Sequence, residues 1–359
     1  MKKIGAAQIL SLLVILILTI SCKDSTTNSD PEVDTGQKSF APANGERLFI
    51  LGQASEDHME DYLTDVKSDP LPAGFAFYTS LSGEQPWNDM IRYIQFLNKY
   101  PNTTLQLAIW TGLRDFGDPG YYLDNIVNGE HDSNIIQLAT AVKNVDRPVY
   151  IRFGYEFDGY HNSYPPDKYI AAYKYFVDLM REQEVTNVAY VWHSWGVGAY
   201  YGSDDFPEQY PALDRVATQE LWYPGDEYVD WVALSLFGTG WGNLNSNSVI
   251  QYLIEFAETR GKPIMLAETA AIKTTNQRDP NWVIPNSQWF QNVFSLMENN
   301  ESIKAFTYIN VDWEGDNPSD TWGDTRIQQA SSDVRNYWLS KIQPFLHGDE
   351  TLFGKLGYY

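Results

Sequence analysis

From position 46 onward the chain repeats one rhythm: a short apolar run, a polar or aromatic loop, then a longer amphipathic stretch. Short runs rich in β-branched and aromatic residues predict strands, here at 47–53, 74–80, 104–111, 149–156, 187–194, 229–237, 263–268 and 304–310. The longer stretches predict helices at 87–99, 134–143, 168–184, 249–260 and 287–299. Within 168–184 the apolar Ile170, Tyr173, Phe176, Val177 and Met180 fall three and four apart, the helical period. Strands alternating with helices, without a break in composition, predict an α/β fold: a single closed (β/α)8 barrel spanning 46–359. A doubly wound open sheet is the competing arrangement. No Gly-rich strand-to-helix turn of the dinucleotide or phosphate-loop type supports it.

A barrel of this kind carries its chemistry at the C-terminal ends of the strands. Those ends read Trp110-Thr111, Glu156 with Asp158, Trp192-His193-Ser194-Trp195, Phe237, Glu268 and Asp312-Trp313. Side chains alternate along a strand, so Tyr150, Arg152, Gly154 and Glu156 are expected on one face, with Val149, Ile151 and Phe153 under the helices. The same alternation groups Ile264, Leu266 and Glu268. A purely structural account would pair Arg152 with Glu156 as an inward salt bridge, but charges rarely occupy an interior face without a reason. Glutamates ending the fourth and seventh strands would face each other across the barrel mouth. Glycoside hydrolysis needs such a pair, one group to protonate the leaving oxygen and one to attack the anomeric carbon.

Charge narrows the partners. At 359 residues and 43% hydrophobic the chain can bury a large core, and a formal charge of −22 repels nucleic acid and anionic lipid alike. A neutral or cationic ligand fits better. Most of the twelve tryptophans and 24 tyrosines must be core, but so many also suit a cleft that stacks sugars, by itself a weak signal. The N-terminus reads as targeting rather than fold: Lys2 and Lys3, an apolar run over 9–20, then Leu18-Thr19-Ile20-Ser21-Cys22, which resembles a bacterial lipobox. Residues 1–22 are thus expected to be a lipoprotein signal peptide with lipidation at Cys22, the sole cysteine, and 23–45 a polar tether. The apolar run is short for a membrane span. A lipid anchor in the bacterial envelope is the expectation, in the outer membrane at its surface or periplasmic face. The chain is expected to be monomeric, touching the membrane only through that anchor.

The motifs support a closer likeness. Arg152-Phe153-Gly154-Tyr155-Glu156-Phe157-Asp158-Gly159, Val191-Trp192-His193-Ser194, the stretch Trp222 to Trp231 and the strand ending at Glu268 resemble glycoside hydrolase family 26, whose members include β-mannanases, β-1,3-1,4-glucanases and β-1,3-xylanases. The resemblance spans about 46–345 and implies a retaining (β/α)8 glycosidase, with Glu156 as acid/base and Glu268 as nucleophile. It departs from the family's mannanases, which place a histidine before the acid/base glutamate and an asparagine two residues after it. Here Tyr155 and Asp158 stand there, a form more similar to the β-1,3-xylanase branch. Arg152 is expected to keep Glu268 ionised and Trp313 to stack under the sugar at the cleaved bond. Trp110 and Trp195 are candidates for neighbouring subsites, and His193 for a sugar hydroxyl or the acid/base residue.

Other chemistries find less support. Five histidines, His58, His131, His161, His193 and His347, include no His-x-x-x-His pair, and a catalytic zinc needs three convergent ligands. No cofactor and no catalytic metal are therefore expected. The Asp/Asn-rich run at 315–320 is a candidate for structural Ca²⁺, although such runs are more often solvated turns. No Gly-x-Ser-x-Gly elbow occurs. Three readings stand: a β-1,3-xylanase, a β-mannanase or β-glucanase of the same family, and a surface lipoprotein that binds glycans without cutting them.

Overall fold

The protein's structure is a computed structural model. It describes residues 38–52, 55–66, 70–81, 85–111, 121–159, 161–162, 164–196, 218–237, 243–272, 288–313 and 322–359. Cys22 with its signal, the tether up to residue 37, and the 315–320 run lie outside these residues, whereas 38–45, expected to be tether, are described and Phe40 among them is buried.

Eight parallel strands close on one another in chain order: β1 (Leu48–Gly52), β2 (Gly74–Ser80), β3 (Thr104–Trp110), β4 (Val149–Phe153), β5 (Val188–Ser194), β6 (Trp231–Leu236), β7 (Ile264–Thr269) and β8 (Ile303–Ile309). β8 pairs back onto β1, with Leu48 opposite Ala305. The single (β/α)8 barrel expected from the alternation is the fold, and an open sheet is excluded. The described helices are α1 (Glu56–Asp65), α2 (Gln85–Leu97), α3 (Tyr121–Val127), α4 (Asp132–Asn144), α5 (Pro166–Glu182), α6 (Ser248–Thr259), α7 (Gln288–Asn299), α8 (Ser332–Ile342) and α9 (Leu352–Lys355). Sequence pattern missed α1, α3, α8 and α9. α1 shows why: only Met59, Tyr62 and Leu63 are buried in a run of charges, and its start is marked by Ser55 accepting the His58 amide.

The core forms two layers. Between sheet and helices, outward strand residues meet the helix faces, as where Phe153 of β4 stacks on Phe176 of α5 at 4.6 Å, a contact worth about 0.5–1.5 kcal/mol beyond burial. Inside the barrel lie Tyr150, Ala189, Val191, Trp231, Ala233, Met265, Ala267 and Ala305. The N-terminal end of the barrel is sealed. There the Trp231 indole donates to the Ser39 carbonyl at 2.6 Å and the Tyr150 hydroxyl to that of Phe40 at 2.7 Å, while Leu352, Phe353 and Leu356 of the C-terminal segment pack in the same cluster. Access is left to the opposite end.

Two strands break the alternation assumed for them, and both carry a glutamate. β4 stops at Phe153, three residues before the predicted end, because Gly154 turns to φ +55° and Glu156 to φ +51°. A Cβ on Gly154 would stand 2.8 Å from the Tyr169 ring, so only glycine fits this turn. In β7 the register skips a residue: Leu234 faces Leu266, but Ser235 faces Glu268. Ala267 is the extra residue, a bulge. Its carbonyl accepts from the Gln106 side-chain amide at 3.0 Å. Ile264 and Leu266 therefore pack outward under the helices, and Glu268 does not share their face.

Candidate active site

Glu156 and Glu268 come together at the open end, both nearly buried, at 6% and 4% exposure. They are joined by a hydrogen-bonded chain. Arg152, wholly buried, forms an ion pair with Glu268 Oε1 through Nη1, and the same nitrogen donates to His193 Nδ1 at 3.1 Å. A guanidinium only donates, so Nδ1 is the acceptor and Nε2 carries the hydrogen. That hydrogen points to Ser235 Oγ at 3.0 Å, and Ser235 donates onward to Glu156 Oε1 at 2.5 Å. The inward salt bridge of Arg152 thus goes to Glu268 and not to Glu156. Tyr78 and Tyr155 lie against the Arg152 guanidinium, each ring centroid 5.6 Å from its central carbon.

The electrostatics follow from this wiring. Burial pushes the Glu268 carboxyl up from its ordinary value; the Arg152 charge pulls it back, Glu156 adds to the rise, and hydrogen bonds from Arg152 and Tyr78 oppose it. Burial, with Arg152 and His161 nearby, holds His193 well below the usual imidazole range, which agrees with the neutral tautomer above. The Tyr78 hydroxyl donates to Glu268 Oε1 at 2.8 Å. Its loss in Tyr78→Phe should therefore raise the Glu268 pKa. A hydrogen bond to a charged group is worth roughly 1.5–3 kcal/mol. The acid limb of a kcat/KM profile should move to higher pH by about one to two units; an unmoved limb in a pH–rate titration would contradict this role.

The remaining sequence candidates divide between rim and interior. Trp110, Trp195 and Trp313 are all half-buried at strand ends. Trp313 packs edge-on to Trp322, at 5.3 Å between centroids, and Phe237 packs on Trp322 at 4.7 Å. The Trp313 indole N–H has no acceptor among the described residues. Asp158 is buried. It accepts from the Ser194 hydroxyl at 2.7 Å and the Trp195 amide at 2.6 Å, tying the loop after β4 to the end of β5. Burial pushes its pKa up to about 6 against those donors. His193 reaches Glu156 through the Ser235 hydroxyl. Tyr155 flanks it, half-buried, its ring 6.5 Å from the imidazole.

Sequence reasoning overlooked Tyr78, Ser235 and His161 as site residues. Tyr78 and Ser235 are inward polar side chains near the ends of otherwise apolar strands, GFAFYTS and WVALSL, a signal that was there to be read. His161 Nε2 lies 2.6 Å from Glu156 Oε2. Only the fold of the loop reveals that contact. Among the described residues no group of three His, Cys, Asp or Glu side chains could hold a metal ion.

Fold and site together are a (β/α)8 barrel with two carboxylates at one rim, one held by a buried arginine, and aromatics around them. No family model matches the chain. Among curated proteins it is similar to a β-1,3-xylanase of a Vibrio species, 29% identical over 74% of this chain, and to a β-1,3-xylanase of an Alcaligenes species, 26% identical over 87%. The chain spans 57% and 67% of those relatives' own lengths. Among solved structures it shares the fold of the catalytic domain of a family 26 endo-β-1,4-mannanase from Bacillus sp. JAMB-750, with a TM-score of 0.59, 16% identity, and coverage of 87% of this chain and 90% of that one. The likeness to family 26 read from the motifs is thus met in the fold by its mannanases and in sequence by β-1,3-xylanases.

Proposed function

We propose that this protein is an endo-acting, retaining glycoside hydrolase that cleaves β-1,3-xylan, with Glu268 as nucleophile and Glu156 as acid and then base. The observation that carries the reading is the pair of rim carboxylates in unequal surroundings: Glu268 under Arg152 and Tyr78, Glu156 between Ser235 and His161. The first has fixed donors suited to an anion. The second has a titratable neighbour suited to a group that gives and retakes a proton. The β-1,3-xylanase relatives and the Tyr155 and Asp158 positions support the substrate. Trp313, half-buried at the end of β8, is suited to stack on the sugar at the cleaved bond, with Trp110 and Trp195 to either side. A glycan-binding protein without activity would need neither glutamate.

The test is a substrate panel. The full chain incubated with β-1,3-xylan, β-mannan, β-1,3-glucan and mixed-linkage glucan should release oligosaccharides from β-1,3-xylan at the highest rate and from mannan poorly. Efficient cleavage of β-1,4-mannan without action on β-1,3-xylan would reverse the assignment. Binding to any of them without products would favour the non-catalytic reading.

We further propose that the chain is a lipoprotein anchored in the bacterial outer membrane through Cys22, with 23–37 as tether and a monomeric catalytic domain from 38 onward, since Ser39 and Phe40 already belong to the barrel's seal. The lipobox-like Leu18 to Cys22 run supports it. Cys22→Ala should abolish fatty-acid labelling and either release the protein from the membrane fraction or leave it unprocessed. Unchanged labelling and mass would refute the anchor.

A further inference from the structure

His161 belongs to no strand. It stands on the loop after β4, and that loop is built to return its ring to Glu156. The Gly159 amide donates to the Glu156 carbonyl at 3.0 Å and the Asn162 amide to the Gly159 carbonyl at 3.1 Å. The Asn162 side chain donates to the carbonyls of Tyr155 at 2.7 Å and Glu156 at 3.1 Å. A Cβ on Gly159 would overlap the imidazole, so the bare backbone there leaves room for it. The ring also meets Trp195 edge to face at 5.4 Å. Glu156 is therefore gripped on both oxygens by unlike groups. Oε1 takes the Ser235 hydroxyl at 2.5 Å, whose proton does not dissociate in the working range. Oε2 faces His161 Nε2 at 2.6 Å, an imidazole whose proton does.

We propose that His161 and Glu156 hold one dissociable proton between them through the working pH range, so that the pair, and not Glu156 alone, sets the pH above which the acid fails. The inference rests on the proposed glycosidase mechanism. The other groups around the pair leave it this role. Glu268 and Asp158 favour retention of the proton by their charge, while Arg152 is committed to Glu268. His193 is kept neutral by burial, and burial pushes the phenols of Tyr78, Tyr155 and Tyr164 upward, so they stay protonated. Burial alone would lower His161, but its hydrogen bond to Glu156 and the surrounding carboxylates leave it raised. At 2.6 Å the imidazole and the carboxylate are in direct hydrogen-bond contact, the geometry in which one proton is shared.

The proton balance closes. When the glycosidic C–O bond breaks and the Glu268–carbon bond forms, the shared proton passes through Glu156 to the leaving oxygen. When water attacks and the Glu268–carbon bond breaks, Glu156 takes a proton from that water and shares it again with His161. His161 acts through Glu156 and is a positioning residue.

The test compares kcat/KM against pH for the full chain and His161→Gln. On the polysaccharide the alkaline limb should move to lower pH by at least about one unit, the coupling at which two groups titrate together. On an aryl β-glycoside of the same sugar with a good leaving group, which needs no acid, the two profiles should coincide. Gly159→Ala should reproduce the His161→Gln shift by displacing the ring. An unmoved limb on the polysaccharide, or the same shift on both substrates, would overturn the proposal. A readout independent of turnover separates it from the functional assignment: by NMR titration of the full chain, the His161 pKa should fall in Glu156→Gln. An unchanged His161 titration there would refute the pairing whether or not the protein cleaves any glycan.

Discussion

Glu268→Ala should leave no measurable hydrolysis of polysaccharide or of activated aryl glycosides, a loss beyond the ~10²–10⁴-fold that general acid–base assistance is worth. A leaving group that departs readily relieves the need for an acid, but not for the nucleophile that receives the sugar. The substitution should also unsettle the fold. Arg152 is wholly buried, and its ion pair is with Glu268. Breaking a buried pair by removing one partner costs roughly 3–5 kcal/mol, because the remaining charge is left uncompensated. Glu268→Gln separates the two effects. It keeps an oxygen to accept from Arg152 and Tyr78, so thermal unfolding should stay closer to that of the parent chain than Glu268→Ala, while activity should be lost to the same extent. Residual turnover of activated substrates by a folded Glu268→Gln chain would take the nucleophile role from this residue.

The same two glutamates show how far the sequence can be read and where it stops. Period-two and period-3.6 patterns located all eight strands and the larger helices, because burial on one face or two enforces those periods. Ends of strands in a barrel are where chemistry gathers, so Glu156 and Glu268 were visible as a pair. The way each reaches the rim was not. Alternation fails at both: Gly154 and Glu156 turn left-handed, and Ala267 bulges. A non-glycine residue held at φ +51° costs of order 1–3 kcal/mol, and the Asn162 side chain and the end of β5, through the Phe157 amide to the His193 carbonyl at 3.3 Å, help hold that turn. Neither device leaves a local signature, since a bulge depends on what the neighbouring strands do. His161 was hidden for a similar reason, its partner being set by a loop and not by a period. Asp158 has the opposite history. It carries a distinctive sequence signal, yet its carboxylate is turned inward to Ser194 and Trp195.

Hydrolysis should proceed with retention, the first-formed product carrying the β configuration of the substrate. The argument runs from register to spacing to stereochemistry. Ser235 of β6 is the register partner of Glu268 on β7, and its hydroxyl meets Glu156 Oε1 at 2.5 Å. Adjacent strands lie about 4.8 Å apart, so Glu156 contacts the residue immediately beside Glu268. Arg152 and His193 complete the same short circuit on the inner side. Retaining pairs stand about 5–5.5 Å apart and inverting pairs roughly 6.5–9.5 Å, the difference being room for a water behind the sugar. A pair this tightly joined favours direct attack by Glu268 and a covalent glycosyl-enzyme, released by water with Glu156 as base. Glu156→Ala should then lose about 10²–10⁴-fold on polysaccharide and much less on aryl glycosides with good leaving groups. Added azide should restore turnover of those glycosides by attacking the trapped intermediate, giving a β-glycosyl azide. Proton NMR of the reaction in its first minutes reads the outcome, since mutarotation is slow on that scale. A first-formed α-anomer, or an α-azide from Glu156→Ala, would mean that water or azide attacks the substrate directly, and Glu268 would then be a base and not a nucleophile.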